Sequence, residues 1–135
     1  MSIITKTDAE IDLMREPCAI VRDTLAFVGE RISAGMSTKE VDELVERFIR
    51  AAGAYPSCLG YGGFPASACV SVNEVVVHGI PDEKTILKDG DIVSVDLCAY
   101  KNGFHGDAAR TFLIGNVSEE KRLLVERTKE CFFKG

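Results

Sequence analysis

Apolar residues recur at steps of three and four along the first third of the chain, at Ile11, Met14, Cys18, Val21, Leu25, Val28 and Ile32. That spacing draws one stripe along an amphipathic helix. Thr7 and Glu10 form the T-x-x-E signature of a capping box at its start, and Gly35 ends it. Pro17 falls inside the stripe and predicts a kink or a split after the first turns, because proline lacks an N–H and crowds the preceding turn. A second stripe, Val41, Leu44, Val45, Phe48, Ile49 and Ala52, follows a second capping box at Ser37 and Glu40 and stops at Gly53. From Tyr55 to Pro65 aromatics mix with glycine and proline, which predicts a loop. Ala68–Val72 reads as a short strand, Asn73-Glu74 as a turn and Val75–Val77 as a returning strand. Two β-rich runs, 91–100 and 104–113, then flank Lys101-Asn102-Gly103, a strong hairpin signal because Asn and Gly tolerate positive φ. Helices followed by strands predict an α+β fold, an antiparallel β-sheet with amphipathic helices on one face.

The hairpin carries two aspartates where strands seldom place them, Asp96 and Asp107. If Asn102 and Gly103 form the loop, Asp96 faces Ala109, and Asp107 faces Cys98, diagonal to Asp96. If Lys101 and Asn102 form it, the two aspartates face each other. Either register sets both carboxylates on one face, with Cβ atoms roughly 5 to 8 Å apart, whereas a three-residue loop separates them. Paired carboxylates on one face invite a divalent cation, since both ionised would repel. The plainer alternatives are solvated aspartates, or one of them paired with Arg110.

At 135 residues with 46% hydrophobic content the chain makes one domain with a real core. The net charge of -5, with no cluster of Lys and Arg, excludes nucleic acid and anionic membrane as expected partners. The first residues lack an apolar signal region and no run is long enough to span a bilayer, so a cytoplasmic location is expected. Five cysteines without short spacing predict reduced residues rather than a disulfide framework or zinc knuckle. Cys18, Cys98 and Cys131 are expected in the core. Cys58 and Cys69, in and beside the glycine-rich loop, are alternatively pocket residues, with Tyr61 and Phe64 supplying apolar area.

Taken together, Cys58-Leu59-Gly60-Tyr61, Asn73-Glu74-Val75-Val76-Val77-His78-Gly79-Ile80-Pro81, Asp89-Gly90-Asp91-Ile92-Val93-Ser94-Val95-Asp96 and Gly103-Phe104-His105-Gly106-Asp107 closely resemble the first half of type I methionine aminopeptidases. The resemblance covers essentially the whole chain. It implies half of the creatinase-like "pita-bread" fold, with 1–135 as the N-terminal half of a catalytic domain that stops before the second half. It further implies a dinuclear metalloaminopeptidase that removes the initiator methionine from nascent polypeptides using two divalent ions (Co, Mn, Fe or Zn).

The same resemblance makes Asp96 and Asp107 metal ligands, with Asp107 bridging, and makes His78 a catalytic residue that hydrogen-bonds the substrate backbone. Cys58, Tyr61, Phe64 and Cys69 would line the methionine pocket, where soft walls suit a thioether. Backbone carbonyls around Asn73 and Val75 would bind a monovalent cation. Gly62 stands where many relatives carry His, and Phe64 where Tyr is common, so the pocket rim is less polar. The family's remaining ligands, one His and two Glu, come from its second half. The expectation is therefore an incomplete metal site and an inactive or nearly inactive chain. The alternative is a non-catalytic half-fold that forms a homodimer through its exposed face and at most binds peptide or metal.

Overall fold

The computed structural model describes residues 3–135. Helix α1 runs over Asp8–Gly29 and α2 over Thr38–Ala51, and both begin with the predicted capping boxes: Thr7 and Ser37 side chains accept from the N–H of Glu10 and Glu40, whose carboxylates reach back. Then come β1 (Tyr55–Pro56), a 3-10 turn (Tyr61–Gly63), β2 (Ala68–Val72), β3 (Ile92–Lys101), β4 (Phe104–Leu113) and α3 (Glu119–Lys134). The sheet is antiparallel throughout: β3 is its centre, with β1 and β2 sharing one edge and β4 on the other. This is the expected α+β arrangement.

Strand β3 fixes the two faces. Val93, Val95, Leu97 and Ala99 are fully buried against the helices, while Ser94, Asp96 and Cys98 between them point to the opposite, open face. Each Val or Leu so buried contributes roughly 1.5 to 3 kcal/mol. Val21, Leu25 and Val28 of α1 and Val41, Val45 and Ile49 of α2 complete this core.

Three expectations need correction. α1 is one continuous helix through Pro17, so of the expected kink or split the split does not occur. Pro17 is buried, and its carbonyl lies so close to Gly106 of β4 that a Cβ on Gly106 would stand 2.4 Å from it, so a missing side chain on the strand accommodates the proline turn. The buried stripe of α1 is Pro17, Ile20, Val21, Thr24, Leu25 and Val28, while Ile11 and Cys18 are exposed. Val75–Val77 form no strand. They are exposed, and Gly79 is the residue that returns to β2: it accepts from Val70 N–H (2.9 Å) and donates to Ser71 Oγ (3.1 Å). A Cβ there would sit 2.3 Å from the Val70 carbonyl, so glycine alone fits this approach.

Candidate metal and substrate site

The β3–β4 turn selects one of the two registers. Asn102 and Gly103 both take positive φ (55° and 84°), Lys101 pairs with Phe104, Asp96 with Ala109 and Cys98 with Asp107. The two aspartates are therefore diagonal on the open face, Asp96 half-buried in the central strand and Asp107 exposed on the edge strand. On the other side of Asp96, directly across the ladder, stands Cys69 of β2.

Burial first, and then the charge of Asp107, push the Asp96 carboxyl above its ordinary range, while the His78 imidazole pulls it the other way. His78 itself is exposed, on the loop that Gly79 anchors to β2. The neighbouring Cys58 thiol, and then burial, push the Cys98 thiol up. Cys98 in turn brings Cys58 down to about 7. Burial, followed by the charges of Cys58, Asp96 and Asp107, pushes Cys69 up to about 11. Asp96, Asp107, Cys58, Cys69 and His78 thus form one electrostatically connected group.

Phe64 is half-buried, whereas Tyr61 stands 83% exposed on the 3-10 turn. Val75 is exposed and Asn73 half-buried, with left-handed backbone at Asn73 and at His78 (φ 50° and 58°). His105 Nδ1 lies 3.0 Å from Ser57 Oγ, and its ring rests 4.9 Å from that of Tyr100, so it ties the start of the pocket loop to β4. Cys98 belongs to this face rather than to the core, and Cys18 and Cys131 are exposed, which corrects the core assignment of all three. The signal for Cys98 was the register itself, which sets it opposite Asp107.

Two neighbouring carboxylates, one of them held above its usual range by burial and then by the other's charge, suit a hard divalent cation that would relieve the repulsion. Among the described residues no group of three or more His, Cys, Asp and Glu is arranged to hold a metal ion. The donor set is this pair.

The sequence is 52% identical over 133 residues to a methionine aminopeptidase of Clostridium acetobutylicum, covering 98% of this chain and 53% of that protein. It is 47% identical over 130 residues to the mitochondrial methionine aminopeptidase 1D of Homo sapiens, covering 96% of this chain and 38% of that one. The chain spans about half the length, or less, of these curated relatives. A crystal structure of methionine aminopeptidase from Rickettsia prowazekii superposes with a TM-score of 0.96 at 34% identity, over 98% of this chain and 53% of that one. The prolidase from Pyrococcus furiosus follows the same path, with a TM-score of 0.76 at 26% identity over 91% of this chain and 35% of that one. These are pita-bread folds, of which this sheet and its helices correspond to one part. The model of metallopeptidase family M24 matches residues 12–135, and the chain belongs to that family.

Proposed function

We infer that this chain is the N-terminal half of a methionine aminopeptidase catalytic domain, contributing two metal ligands and the substrate pocket to the removal of N-terminal methionine from nascent polypeptides. The observation that carries the reading is the diagonal pairing of Asp96 and Asp107 on the open sheet face, with Cys69 directly across the ladder from Asp96. Asp96 and Asp107 would hold divalent ions, which when bound would supply Lewis acidity toward an amide carbonyl and toward water. The remaining roles belong to this chain's own residues. His78 donates to or accepts from the substrate backbone, and Cys58, Cys69, Phe64 and Tyr61 receive the thioether side chain. The backbone near Asn73 and Val75 takes a monovalent cation. No described helix is long and apolar enough to cross a membrane. A cytoplasmic location is part of the proposed reading.

Two ligands give weak binding, because affinity follows ligand number and preorganisation. Titration calorimetry with Mn²⁺ should give a dissociation constant of roughly 10⁻⁴ to 10⁻³ M, the weak end for oxygen-ligand sites. The double substitution Asp96→Asn, Asp107→Asn should abolish it. Tight binding of two ions that survives both substitutions would sink the site assignment.

The exposure of α3, which buries none of its residues, favours a second reading: a half-fold that pairs with another copy and binds peptide or metal without turnover. Hydrolysis of a Met-Gly peptide with added Co²⁺ or Mn²⁺ separates the two. Turnover by this chain supports the enzyme, and its absence from the folded chain supports the module.

A further inference from the structure

The segment that carries His78 is held chiefly at its two ends. One end is Gly79, fixed to β2 by both its N–H and its carbonyl. The other is Asn73, whose side chain makes three hydrogen bonds. Its Nδ2 donates to Asp91 Oδ1 (2.8 Å), and its Oδ1 accepts from Ile92 N–H (3.2 Å) and from Lys121 Nζ (2.9 Å). Between the ends, Val75 N–H donates to the Val72 carbonyl (3.1 Å), and Val75, Val76 and Val77 are 44%, 84% and 62% exposed. A span with so few contacts takes its order from its anchors.

Lys121 is the unusual member of that anchor. It lies in the first turn of α3, a helix without a buried residue, yet its ammonium reaches inward to two oxygens, Asn73 Oδ1 and the Gly90 carbonyl (2.7 Å). Gly90 is itself fixed, donating to the Ile114 carbonyl (2.8 Å), and the backbone of Asn73 donates to the Ile92 carbonyl (3.0 Å). Among the described residues, every side-chain hydrogen bond from α3 to the rest of the chain comes from Lys121. Asn73 adopts φ 50°, in the left-handed region that asparagine tolerates better than most side chains. A charge-assisted donor on its side-chain oxygen fixes the residue in that one conformation. An ordinary surface lysine would leave its head in water.

We propose that Lys121 is a positioning residue for the 74–78 loop: its ammonium, set between Asn73 and the Gly90 carbonyl, is a tethered cation that fixes the left-handed Asn73 turn and thereby the place of His78. The functional part of this proposal rests on the reading of His78 as a substrate-binding residue. The structural part does not. It also makes the seating of α3 and the order of the loop one event, because the same ammonium joins them.

Backbone ¹⁵N relaxation on the intact chain tests it. In the wild type, residues 74–78 should have order parameters near those of rigid backbone, about 0.85, and Lys121→Met should drop them below about 0.6 while β3 stays unchanged. Lys121→Arg, which can donate to both oxygens, should restore order, and Lys129→Met on the same helix should have no effect. A wild-type loop that is already disordered, a Lys121→Met loop that stays rigid, or loss of order that spreads equally into β3 would each overturn the proposal. Should Lys121→Met fail to fold, Lys121→Gln, shorter and uncharged, is read by the same criteria. Titration of the samples with a Met-Gly peptide separates the two layers. If the wild type binds and Lys121→Met binds at least about tenfold more weakly, with rescue by arginine, the loop's order serves the substrate. A wild type with an ordered loop that binds no peptide refutes the proposed function and leaves the assignment of Lys121 standing.

Discussion

The carboxylate of Asp42 shows what a single buried charge does when its partners are fixed. Asp42 is 1% exposed, accepts from the N–H of Ser67 (2.8 Å) and Ala68 (3.0 Å), and pairs with Lys39 Nζ (3.0 Å). It therefore holds the first residues of β2, next to Cys69, against α2. Asp42→Ala leaves two buried donors without an acceptor and should cost about 3 kcal/mol, with Asp42→Asn costing less because its carbonyl still accepts. Urea unfolding measures this, and a loss under about 1 kcal/mol for the alanine variant would show that water replaces the carboxylate. Nothing in the sequence marks Asp42: it lies one position past Val41 on a helix that reads as amphipathic, and its partners are 25 and 26 residues away. Asp96 and Asp107 are legible by contrast, because Asn102-Gly103 fixes their register locally.

At the scale of elements, what is local in sequence is what could be read. Both capping boxes lie within four residues and form as the pattern implies. The loop 73–81 misleads because three consecutive valines have high strand propensity, yet the strand edge they would need is met by Gly79. Propensity yields there to one close backbone approach. The α2 cap makes a pH prediction. Hydrogen bonds from Ser37, first its backbone N–H and then its hydroxyl, hold the Glu40 carboxyl below the usual range. A folded pKa below the unfolded value means that the unfolded chain binds more protons in between. The cap's contribution is thus complete above the ordinary glutamate value, about 4.3, and is lost as pH falls through the depressed folded value. Thermal melts should show Glu40→Gln destabilised relative to wild type at pH 6, with the difference shrinking at pH 3. An equal difference at both values would assign the effect to something other than this charge.

At the scale of the whole molecule, the sheet has one face built and one open. The helix side is closed by valines and leucines at or near zero exposure, whereas Tyr61, Val76 and Val77, and on α3 Leu124, Phe132 and Phe133, are each more than half exposed. Among the described residues β4 has no strand on its outer edge. Exposed apolar surface and an open strand edge each favour association. A second copy of the chain is one partner with matching chemistry, and a two-fold pair would bury the same patch on both subunits. If that patch is the sheet face, the pair brings four aspartates together, and their repulsion makes the dimer weak without a counter-ion and stronger with one. Sedimentation equilibrium at high micromolar concentration should therefore show a monomer–dimer equilibrium that Mn²⁺ shifts toward dimer, and Asp96→Asn with Asp107→Asn should remove the ion's effect. A dimer indifferent to Mn²⁺ would move the interface to α3, where the exposed phenylalanines lie. A well-folded monomer under the same conditions would end the idea of self-association, since the apolar face would then tolerate water without a partner.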